Sequence, residues 1–350
     1  MISFTNDYSE GAHSRVLEQL IASNLEQNRG YGEDVHSNKA KEYIKQHINR
    51  KNVDIHFIPG GTQTNLLVIS SFLRPHQCVI AADTGHINVH ETGAIEATGH
   101  KVVTMPSTDG KLTPKMIHKV LEGHDGEHMV QPKMVYISDS TELGTIYTKQ
   151  ELEEIHEVCQ ENNLLLFLDG ARLASALTCK SNDLTMEDIA RLVDVFYIGG
   201  TKNGALLGEA LVICKEELKE DFRFLLKQRG AMMAKGFVMG VQFETLFQPE
   251  ELLYYKLAKH ANHMAEQIAE AISACGFDFY APIATNQLFP VLPNSFVAEL
   301  EKNFLFNWQA KVGEDKSAIR FVTSWATSQE QVDALIKFFQ TYAEGGYYVN

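Results

Sequence analysis

The sequence predicts an α/β protein, with a large domain built on a mostly parallel sheet covered by helices and a smaller C-terminal α+β domain. Three observations predict it. A unit of apolar strand, polar or glycine-bearing turn and helix-like stretch recurs through residues 53–215. Several of those strands are apolar at consecutive positions, the pattern of strands buried on both faces. Beyond about residue 250 the chain changes to long helical spacing and then to short strands.

In chain order, VDIHFIP (53–59) reads as a strand, Gly60-Gly61 as a turn, and TQTNLLVISSFL (62–73) as a buried helix, because it is uncharged and its apolar spacing is helical. CVIAAD (78–83) precedes helix-like HETGAIEAT (90–98), and KVVTMP (101–106) precedes LTPKMIHKVLEG (112–123). KMVYIS (133–138) leads to the helical KQELEEIHEVCQEN (149–162), and the strands LLLFLDG (164–170), VDVFYIGG (193–200) and LGEALVICK (207–215) complete the series. Long helical patterns fill 246–276. QLFPVL (287–292) and SAIRFVTS (317–324) read as strands, and QEQVDALIKFFQTYA (329–343) as a closing helix. The expected organisation is a segment 1–30 docked on the small domain or on a neighbouring subunit, a large domain 31–249 and a small domain 250–350.

Composition narrows the function. The 350 residues are 44% hydrophobic and 22% charged, and no apolar run approaches the ~18 residues of a membrane span. Thirty-one basic against 45 acidic residues give a net charge of −14, which disfavours a nucleic-acid partner. The opening MISFTNDYSEGAHSRV has no apolar stretch of the secretory kind, so a cytoplasmic location is expected. Five cysteines without a CxxC pair suit neither a disulfide framework nor a thiolate metal site, and read as small buried hydrophobes.

In an open parallel sheet, ligands gather beyond the carboxyl ends of the strands. Three polar groups stand there. Gly60-Gly61-Thr62-Gln63-Thr64-Asn65 opens a helix and is either a phosphate cradle, with free N–H donors at a helix N-terminus, or an ordinary βα turn. Asp169, in Asp169-Gly170-Ala171-Arg172 after LLLFL, is either a helix cap or the partner of a cationic ligand group. Lys202 follows VDVFYI in a glycine-rich turn, where burial disfavours its charge and makes it a nucleophile. Together, phosphate cradle, strand-end carboxylate and strand-end lysine are the anchors that pyridoxal 5′-phosphate requires. The lysine forms a Schiff base and the carboxylate keeps the ring nitrogen protonated.

The chain resembles the threonine aldolase and β-eliminating lyase family of fold type I pyridoxal-phosphate-dependent enzymes along nearly its whole length. The resemblance runs through Asn6-Asp7, Tyr31-Gly32-Glu33-Asp34, Gly61-Thr62-Gln63-Thr64-Asn65, Gly85-His86, Glu91-Thr92-Gly93-Ala94 and Asp109-Gly110-Lys111-Leu112-Thr113. It continues through Asp169-Gly170-Ala171-Arg172-Leu173, Thr201-Lys202 and Ile319-Arg320-Phe321-Val322-Thr323. It implies that His86 stacks on the coenzyme, that Gly61, Thr62 and Thr201 hold its phosphate, and that Asp169 pairs with its ring nitrogen. It further implies that Arg320 and Arg172 bind the substrate carboxylate, with Asn6, Tyr31 and His128 near the substrate. Tyr31 would reach an adjacent subunit's site, so a homodimer or homotetramer with shared sites is expected.

The departures are equally specific. Relatives carry serine where Asn6 stands, Ser-Lys-Gly where Thr201-Lys202-Asn203 stands, and a small neutral residue where Glu209 stands. A GGGMRQ segment is replaced by Gly230-Ala231-Met232-Met233-Ala234-Lys235, so Lys235, Arg229 or Lys227 must substitute for its phosphate-holding arginine, in this chain or from a neighbour. The implied activity is cleavage of L-threonine or L-allo-threonine to glycine and acetaldehyde, with His86, His128 or a water as base. The alternative is β-elimination, or another fold type I amino-acid reaction on a different substrate. The histidines also admit a metal reading, because His86 and His90 are four apart beside Glu91, while His124/His128 and His260/His263 have helical spacing. None forms HExxH, and a Lys202-centred reading explains more residues, so no metal is expected. A third reading is a binding protein without activity, which the intact Lys202 and Asp169 disfavour.

Overall fold

The computed structural model describes residues 1–344. The chain opens with strand β1 (Ile2–Ser3) and helices α1 (Ser14–Ala22) and α2 (Val35–His47). It then lays down β2 (Asp54–Ile58), α3 (Gly61–Phe72), β3 (Gln77–Ala82), α4 (His86–Val89), β4 (Lys101–Met105), α5 (Pro114–Glu122) and β5 (Gln131–Ser138). α6 (Lys149–Glu161), β6 (Leu165–Asp169), α7 (Leu173–Thr178), α8 (Met186–Leu192), β7 (Val195–Gly199) and β8 (Glu209–Ile213) follow. The sheet runs β2-β8-β7-β6-β5-β3-β4. β8 is antiparallel to both neighbours and the other pairs are parallel, so six strands share one direction.

That arrangement positions the site. The carboxyl ends of the six strands gather on one edge, and the reversal of β8 brings its first residue, Glu209, to the same edge, opposite Ile58 and Gly199. Strands β3, β6, β7 and β8 are buried at every position, as strands covered on both faces must be. The two-residue period divides them cleanly. Leu166, Leu168, Phe196 and Ile198 enter one core layer, while Leu165, Phe167, Val195 and Tyr197 enter the other. Helix starts follow local chemistry, with Thr148 and Glu151 forming a capping box on α6, and Thr113 capping α5 ahead of Pro114.

After α9 (Phe222–Gln228), α10 (Phe237–Phe247) packs on α2 and α1, and the 22-residue α11 (Leu253–Ala274) leads to the last section. There β9 (Gln287–Leu288), β10 (Val291–Pro293), α12 (Asn294–Leu300), β11 (Phe304–Leu305), β12 (Asn307–Val312), β13 (Lys316–Val322) and α13 (Gln329–Glu344) surround a phenylalanine-rich core. The order β10-β13-β12 is antiparallel, and β9 also pairs with β13. β1 pairs in parallel with β11, and Phe4 packs its ring against Phe304 and Phe321. The first residues are thereby stitched to this last section, and the next few pass over the site.

Two expected elements differ. HETGAIEAT is not one helix, because Thr92 and Gly93 take left-handed backbone (φ 52° and 70°) between α4 and a single 3₁₀ turn at Glu96–Thr98. QLFPVL is broken into β9 and β10 around Phe289-Pro290, where proline cannot donate to the ladder. All five cysteines are buried. Among the described residues no helix is long and apolar enough to cross a membrane.

Gly170 shows how tightly the edge is built. A Cβ there would lie 1.9 Å from the carbonyl oxygen of Tyr197 on β7, so only glycine lets the chain leave β6 beside its neighbour. Gly170→Ala is expected to cost about 3 kcal/mol or more, read as a lower urea midpoint.

Candidate active site

At the carboxyl edge of the sheet lies a cavity of about 530 Å³. It is walled by the β2–α3 turn, the start of α4, the segments after β5, β6 and β7, and, from the ends of the chain, Tyr8 and Arg320. Its floor is Asp169, 4% exposed at the end of β6. Asp169 Oδ1 accepts from the Tyr197 hydroxyl (2.5 Å) and the Ala171 amide (3.0 Å), and Oδ2 from the Tyr136 hydroxyl (2.6 Å) and Asn65 Nδ2 (3.1 Å). Tyr136 and Tyr197 come from the strands on either side, on the face their alternation requires. Burial pushes the Asp169 carboxyl up, but the neighbouring His86 and these donors outweigh it, so it is held below the ordinary range and stays ionised.

Lys202 stands in the turn after β7, its Nζ 6.0 Å from the centroid of the Tyr8 ring. Burial, and then the nearby Arg172 cation, lower its pKa against the opposing pull of Asp7, Asp169 and Glu209, so more of the amine is neutral than in an exposed lysine. Across the cavity the β2–α3 turn supplies a helix N-terminus. The first helical bond runs from Thr64 N to the Gly60 carbonyl, which leaves the amides of Gly61, Thr62 and Gln63 without intrahelical partners. A Cβ on Gly61 would fall 3.1 Å from the Tyr197 hydroxyl, already anchored to Asp169, so a side chain there would crowd the cradle.

His86 begins α4. Its Nδ1 lies 2.8 Å from Glu91 Oε1, which also accepts from Asn65 Nδ2 (2.7 Å), and the His86 amide donates to Glu142 Oε1 (2.9 Å). Glu91 is buried, and as an acceptor it places the imidazole proton on Nδ1 and leaves Nε2 to the cavity. Asn65 thus links the His86–Glu91 pair to Asp169.

The two arginines differ. Arg172 is clamped by Asp7, with Nε 2.7 Å from Oδ2 and Nη2 3.0 Å from Oδ1, and Asn286 Nδ2 adds a third donor to Asp7 (3.0 Å). Burial raises the Asp7 pKa, yet Arg172 and Lys202 draw it below the ordinary value. One edge of the Arg172 guanidinium is thus held by Asp7, while Arg172 still lines the cavity. Among the described residues, Arg320 Nη2 makes only a long bond to the Thr5 carbonyl (3.4 Å), and its buried Nε has no partner.

Of the residues expected at the site, the cavity brings together Gly61, Thr62, His86, Asp169, Arg172, Thr201, Lys202 and Arg320. Within one chain it does not include Asn6, Tyr31, His128 or Lys235. Asn6 Oδ1 is used by the Tyr8 amide and the Ser9 hydroxyl, so it shapes the turn that presents Asp7 and Tyr8. Tyr31 is half exposed beside Lys227, and His128 and Lys235 lie on exposed loops. Lys227 and Arg229 do not line the cavity either. Sequence reasoning missed Tyr136, Tyr197, Asp7, Tyr8 and Glu142. Of these, only Asp7 carried a signal, as part of the Asn6-Asp7 stretch of the resemblance, though no role was read for it. The metal reading weakens, because His124 Nδ1 and His260 Nε2 are engaged by the carbonyls of Val120 and Thr327.

An ionised carboxylate for a ring nitrogen, a buried lysine whose pKa is lowered, a glycine-lined helix N-terminus and a guanidinium with an unpaired Nε fit pyridoxal phosphate bearing an amino acid. Fold and site together define a fold type I pyridoxal-phosphate-dependent enzyme. The model for the beta-eliminating lyase family matches residues 7–294, and the chain belongs to the threonine aldolase and β-eliminating lyase family. It is 30% identical over 347 residues to a low specificity L-threonine aldolase of Pseudomonas aeruginosa, covering 96% of this chain and 98% of that one. A solved threonine aldolase of Leishmania major is similar at 49% identity with a TM-score of 0.96, over 98% of this chain and 100% of that one. An aspartate aminotransferase of Thermus thermophilus shares the fold at 14% identity and a TM-score of 0.73, over 97% of this chain and 91% of that one.

Proposed function

We propose that this protein is a pyridoxal-phosphate-dependent lyase that cleaves β-hydroxy amino acids in the manner of a threonine aldolase, turning L-threonine or L-allo-threonine into glycine and acetaldehyde. The observation that carries the reading is the His86–Glu91 pair. It sets a ring nitrogen, unpartnered among the described residues, against the cavity that holds Lys202 and Arg320, giving a base separate from the lysine. Aldol cleavage needs such a base at the β-hydroxyl, whereas β-elimination needs one at the α-carbon.

Pyridoxal phosphate, when bound, supplies the sink for the electron pair left at the α-carbon. Gly61 and Thr62 would hold its phosphate, Asp169 its ring nitrogen, and Lys202 its reactive carbon. Arg320, whose buried Nε is unpaired among the described residues, orients the substrate carboxylate, with the remaining donors of Arg172 beside it. His86 Nε2 accepts the β-hydroxyl proton, with Glu91 holding the ring and balancing its positive charge. Assembly as a homodimer or homotetramer belongs to the same proposal, and Tyr31, His128 and Lys235, exposed on a single chain, are its candidates for completing a neighbour's site.

The test is to assay the coenzyme-loaded protein with L-threonine, L-allo-threonine and β-chloroalanine, following acetaldehyde, glycine and pyruvate. Acetaldehyde and glycine in equal amounts are expected; pyruvate from β-chloroalanine with no acetaldehyde from either threonine supports elimination instead. His86→Ala should lower kcat about 100-fold or more on the threonines. Arg320→Ala should raise KM about 100-fold, the loss of a charge-assisted hydrogen-bond pair.

A further inference from the structure

Glu209 is a buried cavity carboxyl that the proposed reaction leaves unused. It opens β8, between the strand that feeds the Gly60–Thr62 turn and the strand that feeds Lys202, opposite Ile58 and Gly199. It is 5% exposed. Its Oε2 accepts from the Gly200 amide (2.9 Å) and its Oε1 from the Thr201 hydroxyl (2.8 Å), while Thr201 Oγ1 accepts from the Gly208 amide (3.1 Å). As a carboxylate, Glu209 therefore takes the only proton Thr201 has to give. It also adds a negative charge to the cavity that is read as holding a phosphate.

We propose that a phosphate group binds at the Gly60–Thr62 turn together with one proton on Glu209, which then donates from Oε1 to Thr201 Oγ1 and frees the Thr201 hydroxyl to donate to the phosphate. The hydrogen-bond count closes: Thr201 would accept from Glu209 and Gly208 and donate once, which is its full capacity. The proton comes from solvent and no covalent bond among heavy atoms changes. Lys202 faces Glu209 from the turn after β7 and Asp169 from β6, with the phenols of Tyr197 on β7 and Tyr254 on α11 also near. Burial pushes the Glu209 carboxyl up to about 7, against the pull of Thr201, Gly200 and Lys202, and a second anion raises it further. Glu209 is thus poised to change state when phosphate arrives.

The inference rests on the reading of the cavity as a pyridoxal-phosphate site, and the test separates the two. Full-length protein stripped of coenzyme is titrated with pyridoxamine 5′-phosphate, which carries the phosphate and cannot condense with Lys202. Calorimetry at pH 8 in two buffers of different ionisation enthalpy counts the protons taken up. Wild type is expected to take up about one proton more per molecule bound than Glu209→Gln, whose amide can donate to Thr201 at any pH. Its affinity should also fall roughly tenfold per pH unit above pH 8 relative to that variant. In wild type alone, difference infrared spectra should show a protonated carboxyl C=O stretch appearing on binding, a readout that does not depend on the variant folding. Binding with equal proton counts, or without that band, overturns the inference and leaves the coenzyme reading standing. Absence of binding by folded wild type overturns both.

Discussion

Lys202→Ala is expected to lose at least about 10⁴-fold in kcat and the visible absorbance of bound coenzyme, while remaining folded. Among the described residues lining the cavity Lys202 is the one lysine, so no other amine stands ready to replace it. The fold should tolerate the change. Burial and Arg172 both disfavour a charge on Lys202, and Asp7 keeps its two bonds from Arg172 when the lysine is gone. The melting temperature of the coenzyme-free variant should therefore match or exceed that of wild type. A drop of many degrees would mean that Lys202 is a structural partner of Asp7 and Asp169. Retained absorbance would mean that the coenzyme sits elsewhere.

The second large effect is expected from Asp169→Asn, a loss of about 10³-fold in kcat with coenzyme affinity changed far less. The carboxylate receives four donors, from Tyr136, Tyr197, Asn65 and the Ala171 amide. These donors and His86 keep it ionised despite its burial, which is the condition for holding a ring nitrogen protonated. An amide of the same shape keeps the packing but offers a donor where the protein has placed donors. About 1–3 kcal/mol of stability should go with it. Steady-state kinetics beside equilibrium coenzyme binding separate the two consequences. Equal losses in kcat and in affinity would make Asp169 a binding residue only.

The parts of the site that were legible in the sequence lie where chain geometry forces ligands to gather. Asp169 and Lys202 each follow an almost wholly apolar strand, and a charge at such a place has to be satisfied or used. The Gly60–Thr62 turn was legible for the same reason, as a glycine pair between a strand and a helix. Tyr136 and Tyr197 were not, because a tyrosine inside a buried strand looks like any core aromatic until its hydroxyl is seen on Asp169. The Asp7–Arg172 pair joins residues 165 apart and depends on Phe4 anchoring the N-terminus to β11 and β13, a contact no local pattern announces. The His86–Glu91 pair was hidden by a wrong element, since a continuous helix through 90–98 does not allow the left-handed turn at Thr92-Gly93 that folds back behind Glu91.

The same logic holds for the fold. The strands of the large sheet were legible because burial on both faces leaves continuous apolar runs. β12 (NWQAKV) was not, because a strand with no fully buried position and Trp308 63% exposed carries no such run. Arg172 was legible as a cation at a strand end, but its pairing with Asp7 was not, because that partner comes from the far end of the chain.

The central claim, that this cavity is a coenzyme site built around one lysine, is tested most directly by peptide mapping. The full-length protein is incubated with pyridoxal phosphate, treated with borohydride, digested and mapped by mass spectrometry. The coenzyme is predicted on the peptide carrying Lys202 and on no other, at about one per chain. Attachment to a different lysine, or no attachment to a folded protein, would contradict the account.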